Sequence, residues 1–449
     1  MRRRLGLFAL IVAGAVLLGV APASAHVVPS TTIELDVHDA SITAQLTLPA
    51  ADLATASGID ATETIDEETA ERIADYIADH FAVRSDAGTW SVDVADVTAS
   101  ETEQWGTGAF PSVVATATLT PPEGSSPRSF TLDYDAIIHQ VVTADIFVIL
   151  HSDWAAGEFE SARDLGVISI DTVSGTVQTL SVDLDAGGLW QGFAGMVGLG
   201  ISHIAEGTDH QLFLLTLLLP APLLAASGRW RGVVPPRKAA RRILGITVAF
   251  TLGHSLTLIL GTLGLPVPQR PVEALIAVSI LIAAVHALRP VFPGREMLVA
   301  GSFGLVHGMA FSTTLSALDL SGTQLALSLL GFNLGIEIMQ LIVVLLVLPP
   351  LVVLARAPIY PPLRVVAALL TAVAAIGWLI DRIGVPNPVG TAADAIGSAS
   401  IPVVAMLWTA AVTTLIVRRA GRDPAVRSRW LAPEVRTSPR DQDDPAHAS

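Results

Sequence analysis

From Leu189 to Arg419 the chain runs through apolar stretches long enough to cross a bilayer, and this limits what it can fold into more than any other feature. In hydrocarbon, backbone N–H and C=O groups must find their partners within the protein, so helices are expected there. The apolar runs predict spans at about 195–226, 241–264, 272–289, 297–318, 324–354, 364–382 and 400–418, each near or above the ~20 residues a crossing needs. Arg229, Arg231, Arg237, Lys238, Arg241 and Arg242 crowd one connection, Arg289 and Arg295 another, Arg356 and Arg364 a third, and Arg418, Arg419 and Arg422 follow the last span. The opposite connections hold Arg270, with Arg382 at the edge of a span as a count against the pattern. The bias of Lys and Arg toward cytoplasmic loops then places these clusters inside the cell. That alternation requires residues 189–226 to cross once, or an odd number of times. The stretch is too long for one straight span and contains Glu206-Gly207-Thr208-Asp209, so it reads as an interfacial or re-entrant half-helix followed by a true span. About seven crossings result, with the C-terminus cytoplasmic and the protein a multi-pass component of the plasma membrane.

The half before Leu189 has a different texture. Between His26 and Trp190 there are 28 Asp and Glu against four Arg (Arg72, Arg84, Arg128, Arg163), a formal charge of −24, while the remainder of the chain carries +9. An asymmetry of this size indicates two compartments, and a large acidic domain offers no basic face to nucleic acid. Residues 1–25 carry a secretory pattern: Arg2, Arg3 and Arg4, an apolar run from Leu5 to Val20, and Ala23-Ser24-Ala25 as the cleavage site. Cleavage there leaves His26 at the mature N-terminus. Residues 26–188 show period-two alternation at 31–37, 41–48, 90–94, 113–119, 129–134, 145–150, 167–171 and 178–183, which reads as an extracytoplasmic β-sandwich. One helix interrupts it, from Glu67 to Phe81, with Ile73, Tyr76, Ile77 and His80 on one stripe. The helical membrane domain then occupies 189–419, and the polar Arg-, Asp- and Pro-rich residues 420–449 read as a disordered cytoplasmic tail.

Ionisable side chains in a membrane cost about 2.5–3.5 kcal/mol each on insertion scales, so they are functional by default. This sequence gathers them. His203, Glu206, Asp209 and His210 fall within eight residues; His254, His286 and His307 each sit in a different span; Glu337 lies mid-span between Asn333 and Gln340; Glu273 begins a span. His203, Glu206 and His210 share a helical face at i, i+3 and i+7, with Asp209 beside it after a glycine that permits a bend. Asn333, Glu337 and Gln340 share another face, and so do Thr251, His254 and Ser255. His307 stands between Gly304 and Gly308, residues small enough for a neighbouring helix to approach. His286, near a cytoplasmic span end, and Glu273, at the outer mouth, are the residues most readily explained as interfacial. The chain has no cysteine, so any metal is held by nitrogen and oxygen, a donor set suited to Ni²⁺, Co²⁺ or Zn²⁺.

The stretch Gly200-Ile-Ser-His-Ile-Ala-Glu-Gly-Thr-Asp-His-Gln-Leu-Phe-Leu-Leu215 resembles the signature of the HupE/UreJ family of nickel permeases, a His followed after five residues by Asp-His. The segments 249–257, 272–279, 303–311 and 332–337 resemble further blocks of the branch of that family with an exported domain, in the same order. The resemblance covers about residues 190–350. It implies His203, Asp209 and His210 as metal ligands, accompanied by His254, His307 and Glu337; Glu206, from the cluster itself, and His26, whose N-terminal amine and imidazole form a chelate, are weaker candidates outside the resemblance. Two positions depart from the family pattern: Ile204 replaces a proline that often follows the first His, and His286 occupies a site expected to carry an amide or small polar residue.

The function expected is therefore a permease for a divalent transition metal, nickel or cobalt first, with zinc or copper as further candidates. The metal is cargo, with no tightly bound cofactor. A copper-handling protein using a chelate at His26, or a non-transporting sensor or assembly factor, are the competing readings; the scarcity of Met, six in the chain, counts against Cu(I). An enzyme is not expected, since H-E-x-x-H and G-x-S-x-G are absent, and the sequence has no phosphate-binding loop for ATP. Intact mass of the membrane-extracted protein tests the leader directly: the expected species begins at His26, and retention of residues 1–25 would remove the N-terminal chelate from consideration.

Overall fold

The computed structural model describes residues 29–420 apart from 62–64, 105–106, 160–161, 172, 263–267, 319, 321 and 398–399. The expected signal segment, His26 and the tail beyond Ala420 lie outside the described residues. The chain divides into two compact units, one ending at Gly192 and the other beginning at Phe193.

In the first unit, alternating side chains build two sheets. The larger has the order Ser91–Gln104, Gly108–Thr120, Ile42–Pro49, Thr31–Val37, Ile146–Asp153, Arg163–Ile168; the smaller runs Leu180–Asp183, Ser129–Tyr134, Phe81–Ser85, Gly88–Thr89. All pairings are antiparallel except that of Thr31–Val37 with Ile146–Asp153. Every second residue of Thr31–Val37 is buried, as a strand with one face on a core requires. Ile33 and Leu46 of the larger sheet, Val83 and Leu132 of the smaller, and Ile73 and Ile77 of a helix belong to one hydrophobic cluster. Helix α1 is Ala50–Ser57 and α2 is Glu67–Asp79. Asp66 caps α2 by accepting from the Thr69 amide at 2.9 Å. The helix ends two residues before the sequence predicts, because Phe81 is taken into the smaller sheet opposite Tyr134. The strand expected at 167–171 is shifted to Arg163–Ile168. Asp171 instead closes a turn, accepting from the amides of Ser174 (3.1 Å) and Val173 (2.7 Å), bonds that hold its carboxyl below the usual range. Three of the four Arg are spent locally, on Asp133 (Arg84), Asp153 (Arg128) and Glu158 (Arg163), so the acidic excess remains.

The second unit is helical. Helices α3 (Leu189–Glu206) and α4 (Thr208–Leu218) are followed by α5 (Pro236–Thr262), α6 (Gln269–Leu288), α7 (Glu296–Ala317), α8 (Gly322–Leu354), α9 (Tyr360–Arg382), α10 (Pro388–Gly397) and α11 (Ser400–Ala420). Among the described residues, five are long and apolar enough to cross a membrane: α5, α6, α8, α9 and residues 402–419 of α11. The protein is thus a multi-pass membrane protein. The predicted span at 195–226 is divided: the helix breaks at Gly207, α4 ends at Leu218, and Leu223–Ala226 pairs with Arg229–Val233 in a β-hairpin. Ser227 and Gly228, both at positive φ (51° and 68°), form its two-residue turn, the geometry that matches the twist of paired strands.

Two Arg side chains next to the predicted cytoplasmic connections, Arg242 and Arg364, are engaged. Arg242 pairs with buried Glu296 and lies 5.5 Å from the Trp230 ring centroid. The Trp230 indole N–H donates to the His286 carbonyl at 2.9 Å. Buried Arg364 donates to the carbonyls of Ala287 and Leu288, capping the C-terminus of α6 where a cation also suits the helix dipole. Arg382, the residue at odds with the charge pattern, is neutralised by Glu273 at 2.6 Å and Asp381 at 2.9 Å. The orientation expected from the Arg clusters is tested at Ala240, which is exposed at the start of α5. A cysteine there, unique in the chain, should react with a membrane-impermeant thiol reagent only after the cells are opened; labelling in intact cells would invert the topology.

Candidate metal centre

The centre begins with the interruption of the α3–α4 helix. Gly207 takes φ −68° and ψ 95°, and a Cβ placed on it would lie 2.5 Å from the His203 carbonyl oxygen and 3.1 Å from Nδ1 of His210. On a continuous helix, residues seven apart are about 10 Å apart along the axis. The break instead brings the rings of His203 and His210 to 4.6 Å between centroids. The sequence suggests one face and a bend; the structure shows that the bend folds one imidazole back onto the other.

Two more imidazoles arrive on α5 and α7, which pack through glycine. A Cβ at Gly304 would lie 2.1 Å from the Phe250 carbonyl oxygen, and one at Gly308 2.2 Å from that of His254. This intimate contact carries His254 and His307, both 1% exposed or less, to the inner faces of His203 and His210. Ring centroids are 4.9 Å apart for His210 and His307, 6.1 Å for His203 and His254, and 6.5 Å for His210 and His254. Two sets of three ligand atoms each lie within 4.8 Å of one another: His203, His210 and His254, and Asp209, His210 and His307. A cavity of about 500 Å³ opens beside them, lined by His203, Glu206, Asp209, His210 and His307 but not by His254. Phe311 and Phe332, stacked at 4.2 Å, and Phe250 and Phe213 pack against the imidazoles; their aromatic type alone gave the sequence reading no signal.

The hydrogen bonds around the centre assign its lone pairs. Ser279 donates its hydroxyl proton to the Ile276 carbonyl at 2.7 Å, and its oxygen lies 3.0 Å from Nε2 of His307. Asp209 accepts from both the amide (2.8 Å) and Nδ1 (2.9 Å) of His210, leaving Nε2 of that ring unprotonated. Nδ1 of His307 and Nε2 of His210 lie 3.3 Å apart, within hydrogen-bond distance of each other. Two nitrogens each roughly 2.1 Å from a common metal ion stand about this far apart in a tetrahedral or octahedral shell. Nε2 of His203 and both nitrogens of His254 are buried without a hydrogen-bond partner, Asn333 facing the latter ring. Buried polar atoms without partners are rare and call for an explanation. A divalent ion supplies one that fits this donor set.

The other predicted residues fall elsewhere. Glu206 is exposed at the cavity rim. Glu337 accepts from Thr251 at 2.8 Å, on the turn of α5 before His254, and belongs to neither ligand set. His286 is remote from both sets: its Nδ1 accepts from the amides of Val291 (3.2 Å) and Phe292 (3.4 Å), and its ring stacks on Phe292 at 3.8 Å, so it clamps the α6–α7 turn. Glu273 lines the cavity but is paired with Arg382.

Set against known families, residues 179–382 match the family model described as HupE / UreJ protein. No curated protein and no solved structure matches the chain. The close α5–α7 contact gives a measurable expectation: Gly308→Ala must push His254's backbone away, and should cost about 1–3 kcal/mol, read as a lower thermal melting temperature of the detergent-solubilised protein. An unchanged melting temperature would show that the helices are not packed this tightly.

Proposed function

We infer, from a membrane segment that belongs to the HupE / UreJ family over residues 179–382, that this chain is a permease for a divalent transition-metal ion, nickel or cobalt first. The observation that carries the reading is the convergence of His203, Asp209, His210, His254 and His307 from four helices into two ligand groups beside one cavity, with Nε2 of His203 and both nitrogens of His254 buried without a partner. Imidazole with a single carboxylate suits Ni²⁺, Co²⁺ and Zn²⁺, and the absence of cysteine and the scarcity of methionine leave no soft site for Cu(I).

The geometry supports a sequence of events. Glu206, exposed at the rim, and the acidic exported domain raise the local concentration of cations, an attraction that weakens with salt. The ion exchanges its waters for imidazole and for the Asp209 carboxylate, which offsets part of its charge and fixes the His210 tautomer through Nδ1. Without such exchange a divalent ion does not leave water for low dielectric. Glu337, held by Thr251 and flanked by Gln340, offers the next negative charge. Entry from outside the cell follows if the Arg-rich connections are cytoplasmic.

Uptake of radioactive Ni²⁺ into proteoliposomes tests the reading and separates a permease from a sensor. The double variant His203→Ala, His210→Ala should fall to background at matched incorporation, and Asp209→Asn should lose at least about tenfold. His286→Asn should be mild by comparison, since that ring only clamps a turn. Uptake by the double variant at the wild-type rate would place the pathway elsewhere.

A further inference from the structure

A helix interrupted within a membrane leaves backbone groups without their usual partners, and side chains must take them over. At the Gly207 break two bonds of the regular pattern survive. The Gly207 amide donates to the His203 carbonyl at 3.1 Å, and the Gln211 amide donates to the Gly207 carbonyl at 3.0 Å. Two others are replaced. In an unbroken helix the His210 amide would go to the Glu206 carbonyl; here it goes to the Asp209 carboxylate at 2.8 Å. The Ala205 carbonyl would take the Asp209 amide, but among the described residues no backbone bond joins that pair, and Nε2 of Gln211 donates to Ala205 instead. Gln211 lies in the first turns of α4 and is 9% exposed. Helical side chains lean toward the N-terminus of their own helix, so one placed here reaches back over the break to the last turn of α3.

We propose that Gln211 is a positioning residue of the metal centre: its side chain splints the break and so holds Asp209 and His210 in place relative to His203. This rests on the metal-binding reading above and deepens it. Both surviving backbone bonds end on Gly207 itself, so neither fixes how α4 turns about that residue, and a glycine has no side chain to restrict its two soft dihedrals. The bond from Gln211 to Ala205 bypasses the glycine and ties α4 directly to α3. The consequence falls on the ligands. His203 on α3 and His210 on α4 belong to one group whose ligand atoms lie within 4.8 Å of one another. Metal–nitrogen bonds are about 2.1 Å long, so a turn of α4 that carries His210 away by about 1 Å takes a donor out of coordination. Gln211 itself belongs to neither ligand group and does not line the cavity, so it acts through the residues it holds. Its amide donates without adding a charge, whereas Lys or Arg at this position would set a cation beside the place of another.

The test compares two ways of losing a buried hydrogen bond from α4 in the full-length protein. Gln211→Met keeps the length and bulk of the side chain but cannot donate; Gln211→Asn keeps the amide but is one methylene too short to span the break. Thr216→Val is the control, since it removes the buried bond from Thr216 to Thr371, 3.1 Å long, away from the ligands. Ni²⁺ binding is read by calorimetry in detergent and the ligand geometry by the visible absorption of bound Co²⁺, using variants that elute as a single species. Both Gln211 variants should bind Ni²⁺ at least about tenfold more weakly than wild type and shift the Co²⁺ bands. Thr216→Val should bind within about threefold of wild type and keep its spectrum. An equal loss of affinity in Thr216→Val would make the effect a general one of weakened packing and overturn the proposal. Wild-type affinity and an unshifted Co²⁺ spectrum in the Gln211 variants would overturn it as well. Either result leaves the permease reading standing, whereas a wild-type protein that binds neither Ni²⁺ nor Co²⁺ would bring down both.

Discussion

The break in the helix at Gly207 is the constraint on which the membrane unit's chemistry depends. It ends α3 on Glu206 and starts α4 on Thr208, so that His203 in the last turn of one helix meets Asp209 and His210 in the first turn of the next. Glycine is required less for backbone freedom than for space, since a Cβ would press on the His203 carbonyl and the His210 ring at once. The negative charge of Asp209 also sits in the first turn of α4, where the helix dipole favours an anion. One missing side chain thereby sets the separation of two imidazoles, the tautomer of one of them and the position of the only carboxylate in the ligand sets.

Elsewhere in the helical unit, several buried polar groups are bonded, although Nε2 of His286 and Nε of Arg364 have no partner among the described residues. Glu296 pairs with Arg242 and receives the Gly294 amide; Arg364 caps α6; Tyr360 donates its hydroxyl to the Leu219 carbonyl at 2.6 Å; Thr216 donates to Thr371 at 3.1 Å. In a low-dielectric interior each such group costs free energy unless it is bonded. In the centre, Nε2 of His203 and both ring nitrogens of His254 lack a partner and lie close together. They are held by packing, through the glycine contacts of α5 with α7 and the stacked Phe311 and Phe332, and not by hydrogen bonds of their own. A site arranged in this way is stiff before its ion arrives and loses little conformational freedom on binding.

His286 shows how the same residue type serves opposite ends. It looks like a further ligand in the sequence, one more imidazole in an apolar span. In the structure its Nδ1 is committed to two backbone amides, its carbonyl to Trp230 and its ring to Phe292. Glu273 similarly offers a carboxylate to the cavity but is matched by Arg382. Glu273 is matched by a partner from a different helix that no spacing along the chain names, whereas His286 leaves its Nε2 buried without a partner.

What the sequence determined is what depends on neighbours along the chain. Alternation over 31–37, 42–49 and 129–134 decides which side chains of those strands are buried, because successive residues of a strand point to opposite faces whatever the strand pairs with. Long apolar runs decide that 236–262, 269–288, 322–354 and 360–382 are helices, since a bilayer admits little else. The His and Asp residue types, and the absence of cysteine, decide the donor chemistry. The tertiary structure alone decided the rest. A helical face specifies a direction, and it takes the adjoining helix to turn direction into distance. Thus Glu337, equal to His254 and His307 as a candidate in sequence, bonds to Thr251 outside both ligand sets, while the glycine contact between α5 and α7 brings His254 and His307 to His203 and His210.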